Sequence, residues 1–284
     1  MTANRDLIQL AKPRIVGLVI VTAAAGFYLA APVGVSLALF LHLVLGTALV
    51  AAGTNALNQV AERDTDALMH RTSKRPLPTG RVTLRLAALL AWTAGVVGVA
   101  YLATFVNGLT AAIAAATLLS YVFLYTPLKR KTSLNTLVGC VPGALPILGG
   151  WTAAGGSLGV EAWVLFGILF LWQLPHFLAL AWLYREDYGR AGLRMLSVGD
   201  HTGHTTFRHA AVYALALLPV SLLPAVVGIA GAWYFAGAVL LSSWFVWVGM
   251  RAVRERSNAV AKRLFVTSVW YLPVLLGLMV VNKA

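Results

Sequence analysis

Three oxygen-bearing side chains recur at four-residue intervals where a long apolar run meets a polar stretch. Asn58, Glu62 and Asp66 fall on one face of a helix at about 100° per residue. Carboxylates stacked on one face repel each other, and a hard divalent cation bound through oxygen atoms would reverse that repulsion. Three cations follow at once and could hold phosphates bridged to such a metal: Arg71, Lys74 and Arg75. The spacing predicts a site that handles a diphosphate.

A second group of polar residues follows a later apolar run, between residues 172 and 196. His176 and Asp187 are 11 residues apart, about 20° out of register on a continuous helix, so they can share a face. A lone histidine in an apolar helix is usually a hydrogen-bonded core residue. Two functional alternatives stay open for His176: an axial ligand to a haem-like substrate, or a base in a proton relay.

Further cations stand at the ends of other apolar runs. Lys129 and Arg130 follow Tyr125 within residues 125–131, and Arg14 follows Lys12 and Pro13. Such residues often only set topology and contact lipid headgroups. Beside an acidic metal site they become candidate ligands for diphosphate oxygens.

Membrane helices are predicted to position these residues. Hydrophobic residues make up 60% of the chain and charged residues only 11%, far from the soluble balance of about 25% charged. Nine apolar stretches are close to the length of a span: 15–31, 37–57, 84–103, 109–125, 134–152, 162–182, 211–229, 232–250 and 264–281. We therefore predict an all-α polytopic membrane bundle of about nine transmembrane helices. It forms a single domain over residues 1–284.

The distribution of charge predicts the orientation of the bundle. The net charge is +13, and with this span order every Lys and Arg except Lys283 lies on one side of the membrane. The positive-inside rule places the N-terminus and the basic loops in the cytoplasm, and the C-terminus outside. This alternation argues against nucleic acid as a partner. With only 14 residues before the first span, there is no room for a cleavable leader, which favours a bacterial plasma (inner) membrane.

Two long cytoplasmic loops, residues 61–83 and 183–210, contain six of the nine acidic residues. We call them the first and second cap loops, because two such loops can cover a central cavity. The lone Cys140 excludes an intrachain disulfide and a cysteine-based metal cluster.

Five segments together resemble the UbiA superfamily of membrane prenyltransferases, and within it the protohaem IX farnesyltransferase (haem O synthase) family. They are residues 12–14, 58–76, 125–131, 172–177 and 186–196. The Trp-Gln-Leu-Pro-His-Phe run at 172–177 and the Arg-Thr and Arg-Pro pairs at 71–76 are the specific parts. Two departures matter: Glu62 stands where many members of the superfamily have Asp, and Leu183 stands four residues before Asp187, so a second carboxylate ladder is missing.

The resemblance implies Mg²⁺-dependent transfer of a farnesyl group from farnesyl diphosphate to a vinyl group of haem b, giving haem O. It implies that catalytic and metal-binding roles fall on Asn58, Glu62, Asp66 and Asp187. The implied substrate-binding residues are Arg14, Arg71, Lys74, Arg75, Tyr125, Lys129, Arg130, Trp172, His176 and Phe177. The implied partners are farnesyl diphosphate, haem b, the lipid bilayer and a downstream haem A synthase. Two alternatives stay open: a prenyltransferase acting on an aromatic or quinone precursor, and a secondary transporter that couples ions through its carboxylates.

Overall fold

The computed structural model describes residues 2–32 and 34–284, and over these residues the chain is helical with no β-strand. Nine helices in the described part are long and apolar enough to cross a membrane, which confirms the predicted bundle. They are α2 (Pro13–Ala30), α3 (Leu37–Ala61), α5 (Leu84–Phe105), the run Gly108–Leu128, α8 (Asn135–Ala153), α9 (Val160–Leu183), α12 (His204–Val226), α13 (Ala232–Glu255) and α14 (Asn258–Val281). The run Gly108–Leu128 comprises α6 (Gly108–Leu119), a π-helical turn (Ser120–Tyr125) and α7 (Thr126–Leu128).

Several spans extend beyond their predicted ends, because apolar content alone does not locate a polar helix terminus. The predicted seventh span begins at 211, whereas α12 begins at His204. Gly203 precedes it with φ +74°, and the Asp200 carboxylate accepts the Thr206 N–H at 2.7 Å. A side-chain acceptor at a helix N-terminus satisfies a donor that the helix itself leaves free.

Small residues let the spans approach closely, as in many membrane bundles. The contact between α2 and α8 depends on two glycines. A Cβ atom at Gly26 would collide with the Ile147 carbonyl oxygen, and one at Gly150 would collide with that of Ala23. The backbones of these two helices are therefore in direct contact.

A short helix before the first span, α1 (Thr2–Ala11), was not predicted. An ion pair between Asp6 and Arg81 at 3.0 Å ties it to the first cap loop. Gln59 and Asn55 of α3 donate hydrogen bonds to carbonyl oxygens at its C-terminal end. These contacts fix the chain just before Lys12, where α2 begins.

The first motif does not lie on one continuous helix, so that part of the prediction is wrong. The helix α3 ends at Ala61, and a separate short helix, α4 (Arg63–Leu68), follows. Glu62 forms the junction with φ −100° and ψ 8°. The break redirects the chain into the first cap loop at the middle residue of the motif.

The two cap loops contact each other and the loop between α7 and α8. The second cap loop contains α10 (Arg185–Arg190) and α11 (Leu196–Gly199). Asp187 accepts the backbone N–H groups of His70 and Arg71, both at 3.3 Å. The Arg194 N–H donates to the Lys129 carbonyl at 2.7 Å. The caps therefore form one connected layer over one end of the bundle.

Candidate active site

Each oxygen-bearing residue of the first motif contacts a cation from a different part of the chain. All three contacts lie at the capped end of the bundle, and Glu62, Asp66 and Arg75 are themselves part of the first cap loop. The pairs are Lys12 Nζ with Asn58 Oδ1 at 3.0 Å, Lys129 Nζ with Glu62 Oε1 at 2.6 Å, and Arg75 Nη1 with Asp66 Oδ2 at 2.7 Å. Three cations and three oxygen-bearing side chains thus converge on one region, as a diphosphate–metal site requires.

Lys12 is the member of this region that the motif analysis missed. It adopts the left-handed conformation, with φ 52° and ψ 66°, which is uncommon for a residue with a side chain and occurs often at functional sites. Burial, and next the charge of Arg75, lower the pKa of Lys12 to about 7. One signal was available in the sequence: Pro13 directly after Lys12 marks the first turn of a helix.

Lys129 is held by the π-helical turn that precedes it. The turn brings Tyr121 and Tyr125 edge to face, with ring centroids 5.0 Å apart, and the Lys129 ammonium lies 4.4 Å from the Tyr125 ring centroid. Burial lowers the pKa of Lys129, but Tyr125 and Glu62 raise it by more, so the net pKa lies above its ordinary value. Single π-helical turns inside α-helices occur frequently at functional sites.

The same turn connects the lysine to the first motif. Thr126 donates to the Tyr121 carbonyl at 2.8 Å and accepts from Asn58 Nδ2 at 3.3 Å. Asn58 is therefore held with its amide nitrogen toward the turn and its oxygen toward Lys12.

The structure does not group Asp187 with the two carboxylates of the first motif. Over the described residues, no group of three or more His, Cys, Asp or Glu side chains is placed to hold a metal ion. Asp187 binds the backbone of the first cap loop and pairs with Arg190 at 3.1 Å instead. Burial raises the pKa of Asp187, but the Arg71 and His70 N–H groups and the charge of Arg190 together lower it by more. The carboxylate therefore joins the two cap loops.

The oxygen donors of Asn58, Glu62 and Asp66 still fit a hard cation. Carboxylate and amide oxygens are the donors that Mg²⁺ takes in proteins, usually together with water and substrate phosphate. Each of the three now has a cationic side chain beside it. A diphosphate bound to the metal would be a new anionic partner for these cationic side chains. It would replace the oxygens of Asn58, Glu62 and Asp66 that they now contact.

The remaining predicted cations are exposed at the same end of the bundle: Arg14, Arg71, Lys74 and Arg130. Arg71 lies over the Tyr184 ring, 5.0 Å from its centroid, and so contacts the start of the second cap loop. In contrast, Asp64 pairs with its neighbour Arg63 in an exposed position.

Trp172, His176 and Phe177 lie deeper, on α9. His176 is seven residues before the end of that helix, a rise of about 10 Å. Its ring stacks on Trp172 at 5.3 Å and meets Phe177 edge to face at 5.5 Å. The structure therefore separates an aromatic region along α9 from the charged region at the capped end of the bundle.

The UbiA prenyltransferase family model matches residues 19–272. The chain belongs to the UbiA prenyltransferase family. A protein named protoheme IX farnesyltransferase from Solibacter usitatus is 46% identical over 288 residues, which cover 98% of this chain and 99% of that protein. Another of that name, from Salinibacter ruber, is 47% identical over 277 residues, 98% of each chain.

Solved structures of other UbiA proteins share the fold. A digeranylgeranylglyceryl phosphate synthase superposes with a TM-score of 0.83 at 17% identity, over 99% of both chains. A UbiA homologue from Archaeoglobus fulgidus, bound to DMAPP and Mg²⁺, superposes with a TM-score of 0.69 at 14% identity, over 96% of this chain and 99% of that one. The nine-helix architecture is thus that of the UbiA prenyltransferases.

Proposed function

We propose that this protein transfers a farnesyl group from farnesyl diphosphate to a vinyl group of haem b. The observation that carries the proposal is the convergence of Lys12, Lys129 and Arg75 on the three oxygen ligands of the first motif. The near-full-length similarity to proteins named protoheme IX farnesyltransferase supports the choice of donor and acceptor.

The charged region binds the diphosphate in this proposal. Lys12, Lys129 and Arg75 donate to its oxygens, and the exposed Arg14, Arg71, Lys74 and Arg130 attract the anion to the caps. The allylic C–O bond breaks with both electrons leaving on the diphosphate. Donors already aimed at the place where this charge develops lower the barrier most. Tyr125, beside Lys129, lines the start of the prenyl chain.

We assign Asn58, Glu62 and Asp66 as the residues that hold Mg²⁺. The bound ion supplies further neutralisation of the leaving diphosphate. Asp187 fixes the backbone of residues 70–71 and so places Arg71. This gives Asp187 a positioning role in place of the predicted role as metal ligand.

The aromatic region receives the apolar groups. Trp172 and Phe177 shield the cationic prenyl group with their ring faces. The vinyl π electrons form the new carbon–carbon bond, and water adds to the resulting cation and loses a proton. The product carries a hydroxyethylfarnesyl side chain. Its further oxidation belongs to a downstream enzyme, for which haem A synthase is the proposed partner.

The location follows from the charge pattern. We propose a single domain over residues 1–284 in the bacterial plasma (inner) membrane, with the N-terminus and both cap loops in the cytoplasm and the C-terminus outside. Its acceptor and donor then both reach the site from the bilayer, since each is amphipathic.

The test is reconstitution of the purified protein in lipid with haem b, farnesyl diphosphate and Mg²⁺, followed by mass analysis of the haems. We expect a farnesylated haem that disappears when Mg²⁺ is chelated and in Asp66→Asn. Asp64→Asn is the matched control, because it removes an acid two residues away that pairs only with exposed Arg63. It should retain activity.

Two results would change the proposal. Release of diphosphate without a modified haem would retain prenyl transfer and reject haem as acceptor, and quinone precursors would be tested next. Equal activity in Asp66→Asn and Asp64→Asn would reject the assignment of the first motif.

A further inference from the structure

Gln173 is a buried amide in the apolar span α9, with only 5% of its surface exposed. Its Nε2 donates to the Leu169 carbonyl at 3.0 Å and to the Cys140 carbonyl of α8 at 3.3 Å. The amide nitrogen carries two hydrogens, so both are used. Turning the amide over would set its oxygen against two carbonyl oxygens, which can only accept. The two contacts therefore fix the orientation of the amide and leave Oε1 as an acceptor.

The oxygen of this amide has no partner in the protein. Over the described residues, no N–H or O–H group donates to Gln173 Oε1. The only fully enclosed side-chain polar atom without a partner in that part of the chain is Thr206 Oγ1, so Gln173 Oε1 borders an open space. An unpaired polar atom in an apolar span is costly. It therefore indicates a ligand that carries a hydrogen-bond donor.

The open space is a gap between α2 and α8. Away from the caps these helices are in backbone contact at Ile147 and Gly150 of α8. Gly143 lies on the same side of α8, within about 40° of both residues, and yet it is exposed. None of the described residues 13–22 of α2 is buried, whereas the second half of that helix contributes five buried residues. The two helices thus diverge toward the capped end.

The Gln173 oxygen reaches into this gap at Gly143. A Cβ atom at Gly143 would collide with Oε1, so the oxygen takes the place that a side chain would fill. Pro146 has no N–H with which to bond the Pro142 carbonyl, so a second acceptor lies one residue before Gly143. We call Gln173 Oε1 and the space at Gly143 the polar notch. It offers acceptors to a small ligand in otherwise apolar surroundings.

The polar notch is close to the charged region. The Tyr125 ring, which lies 4.4 Å from Lys129 Nζ, packs where a Cβ atom of Gly139 would be. Gly139 is four residues before Gly143, a rise of about 6 Å, and about 40° away around α8. The gap therefore leads from Tyr125 to the polar notch. The proposed reaction places the start of the prenyl chain along the same path.

We propose that Gln173 Oε1 holds the water molecule that adds to the cation formed on the vinyl group. This inference rests on the proposed transfer to haem b. The ligand of an acceptor must bring a donor, and neither the farnesyl chain nor the vinyl edge of the porphyrin has one. Water has two hydrogens. A water molecule held through one of them keeps its lone pairs free for attack on the cation.

The step balances within the proposed reaction. When the vinyl π electrons bond to the farnesyl carbon, positive charge forms on the vinyl carbon next to the porphyrin ring. A lone pair of the held water forms the carbon–oxygen bond, an O–H bond of that water breaks, and the proton passes to the diphosphate released earlier. Without a positioned water, the cation would lose a proton from the adjacent carbon and give an alkene. Gln173 thereby determines which product forms, because positioning a reactant favours its reaction.

The experiment measures the ratio of these two products. The protein in lipid nanodiscs is supplied with haem b, farnesyl diphosphate and Mg²⁺, and mass analysis separates the hydroxylated haem from the alkene, which is lighter by one water. We expect Gln173→Met to lower the ratio of hydroxylated product to alkene about tenfold, which corresponds to about 1.4 kcal/mol of lost hydrogen bonding. Gln59→Met is the matched control, because the Nε2 of this buried glutamine also donates to two backbone carbonyls. It should keep the parent ratio.

Gly143→Ala tests the polar notch without removing the amide, and it replaces Gln173→Met if that variant does not fold. The new methyl group would meet the end of the flexible Gln173 side chain, so the oxygen is displaced at little cost to the backbone. The product ratio should again fall about tenfold. Gly149→Ala on the same helix, whose nearest contact is at 3.8 Å, should keep the parent ratio.

The outcomes separate this inference from the proposed function. A lower yield of both products at an unchanged ratio, in Gln173→Met or Gly143→Ala, would show a purely structural role and overturn the assignment of Gln173, with the reaction left standing. Absence of any farnesylated haem with the parent protein would reject the proposed function and the role of Gln173 together.

Discussion

Glu62→Gln tests the charged region through its energetics. The substitution keeps the shape of the side chain and removes the charge that pairs with Lys129 at 2.6 Å, where both side chains are only 13% exposed. Two charge centres about 4 Å apart attract by about 4 kcal/mol at an effective dielectric of about 20. Removing one partner of a buried pair usually costs about 3–5 kcal/mol, because the other charge stays buried and uncompensated. Because both side chains keep some exposure to solvent, we expect Glu62→Gln to lower the free energy of unfolding by about 3 kcal/mol, near the lower end of this range.

The assay is the free energy of unfolding in mixed micelles, titrated with a denaturing detergent. Lys129→Met alone should cost about as much as Glu62→Gln, whereas the double variant should recover most of the loss. We expect a coupling energy of about 2 kcal/mol or more between the two sites. Asp64→Asn, which breaks the exposed pair with Arg63, should change stability by less than about 1 kcal/mol. Losses that simply add in the double variant would refute the reasoning, since they would mean that the pair is not a buried, coupled unit.

Two further predictions concern packing and pH. Gly150→Ala should cost about 1–3 kcal/mol in the same assay, because the new methyl group collides with the Ala23 carbonyl. Gly149→Ala, whose nearest contact is at 3.8 Å, should be neutral or stabilising, and equal losses in both would contradict the close α2–α8 contact. Partial burial raises the pKa of Asp200, but its hydrogen bonds from Thr206, Thr202 and Gly203 together lower it by more. Its stabilisation is therefore present above the unfolded pKa of about 3.9 and is lost as pH falls through the lower folded value. Asp200→Asn should therefore melt at a lower temperature than the parent protein at pH 7, and this difference should shrink as the pH falls below the unfolded pKa of about 3.9. A difference that stays constant down to the lowest pH at which the protein remains folded would disprove the assignment.

The spans could be predicted because the bilayer imposes a simple rule on the sequence. A helix that crosses hydrocarbon must be apolar over about 20 residues, and all nine predicted stretches match helices of the described part. The ends were less accurate where polar turns extend a helix into water, as α12 does from residue 211 back to His204. The position of such a helix end depends on local capping, here by the Asp200 carboxylate. The apolar content of a stretch of sequence gives no information about capping.

The candidate site could be predicted in part. Spacing identified Asn58, Glu62 and Asp66, but it could not reveal the helix break at Glu62. The break depends on the first cap loop, which turns back so that Arg75 reaches Asp66. Lys12 was also missed as a site residue, because its place beside Asn58 depends on α1 and on a left-handed backbone conformation. Contacts between residues far apart in the chain have no local pattern in the sequence.

The chemistry of the site follows from how the structure separates charge from apolar surface. The cations and carboxylates lie at the capped end of the bundle, and each carboxylate of the first motif already has a cationic neighbour. Such pairs hold the acids and the cations close together, whereas either group alone would be costly in a poorly hydrated region. When a diphosphate and a metal ion bind, the cationic side chains exchange the carboxylates for the diphosphate, and the carboxylates exchange the cationic side chains for the metal ion. No side chain has to change its charge in this exchange. The aromatic residues around His176 lie about 10 Å deeper along α9. In the proposed reaction, an allylic substrate whose diphosphate stays in the first region would reach with its prenyl chain into the second, with the reacting carbon at the boundary between them.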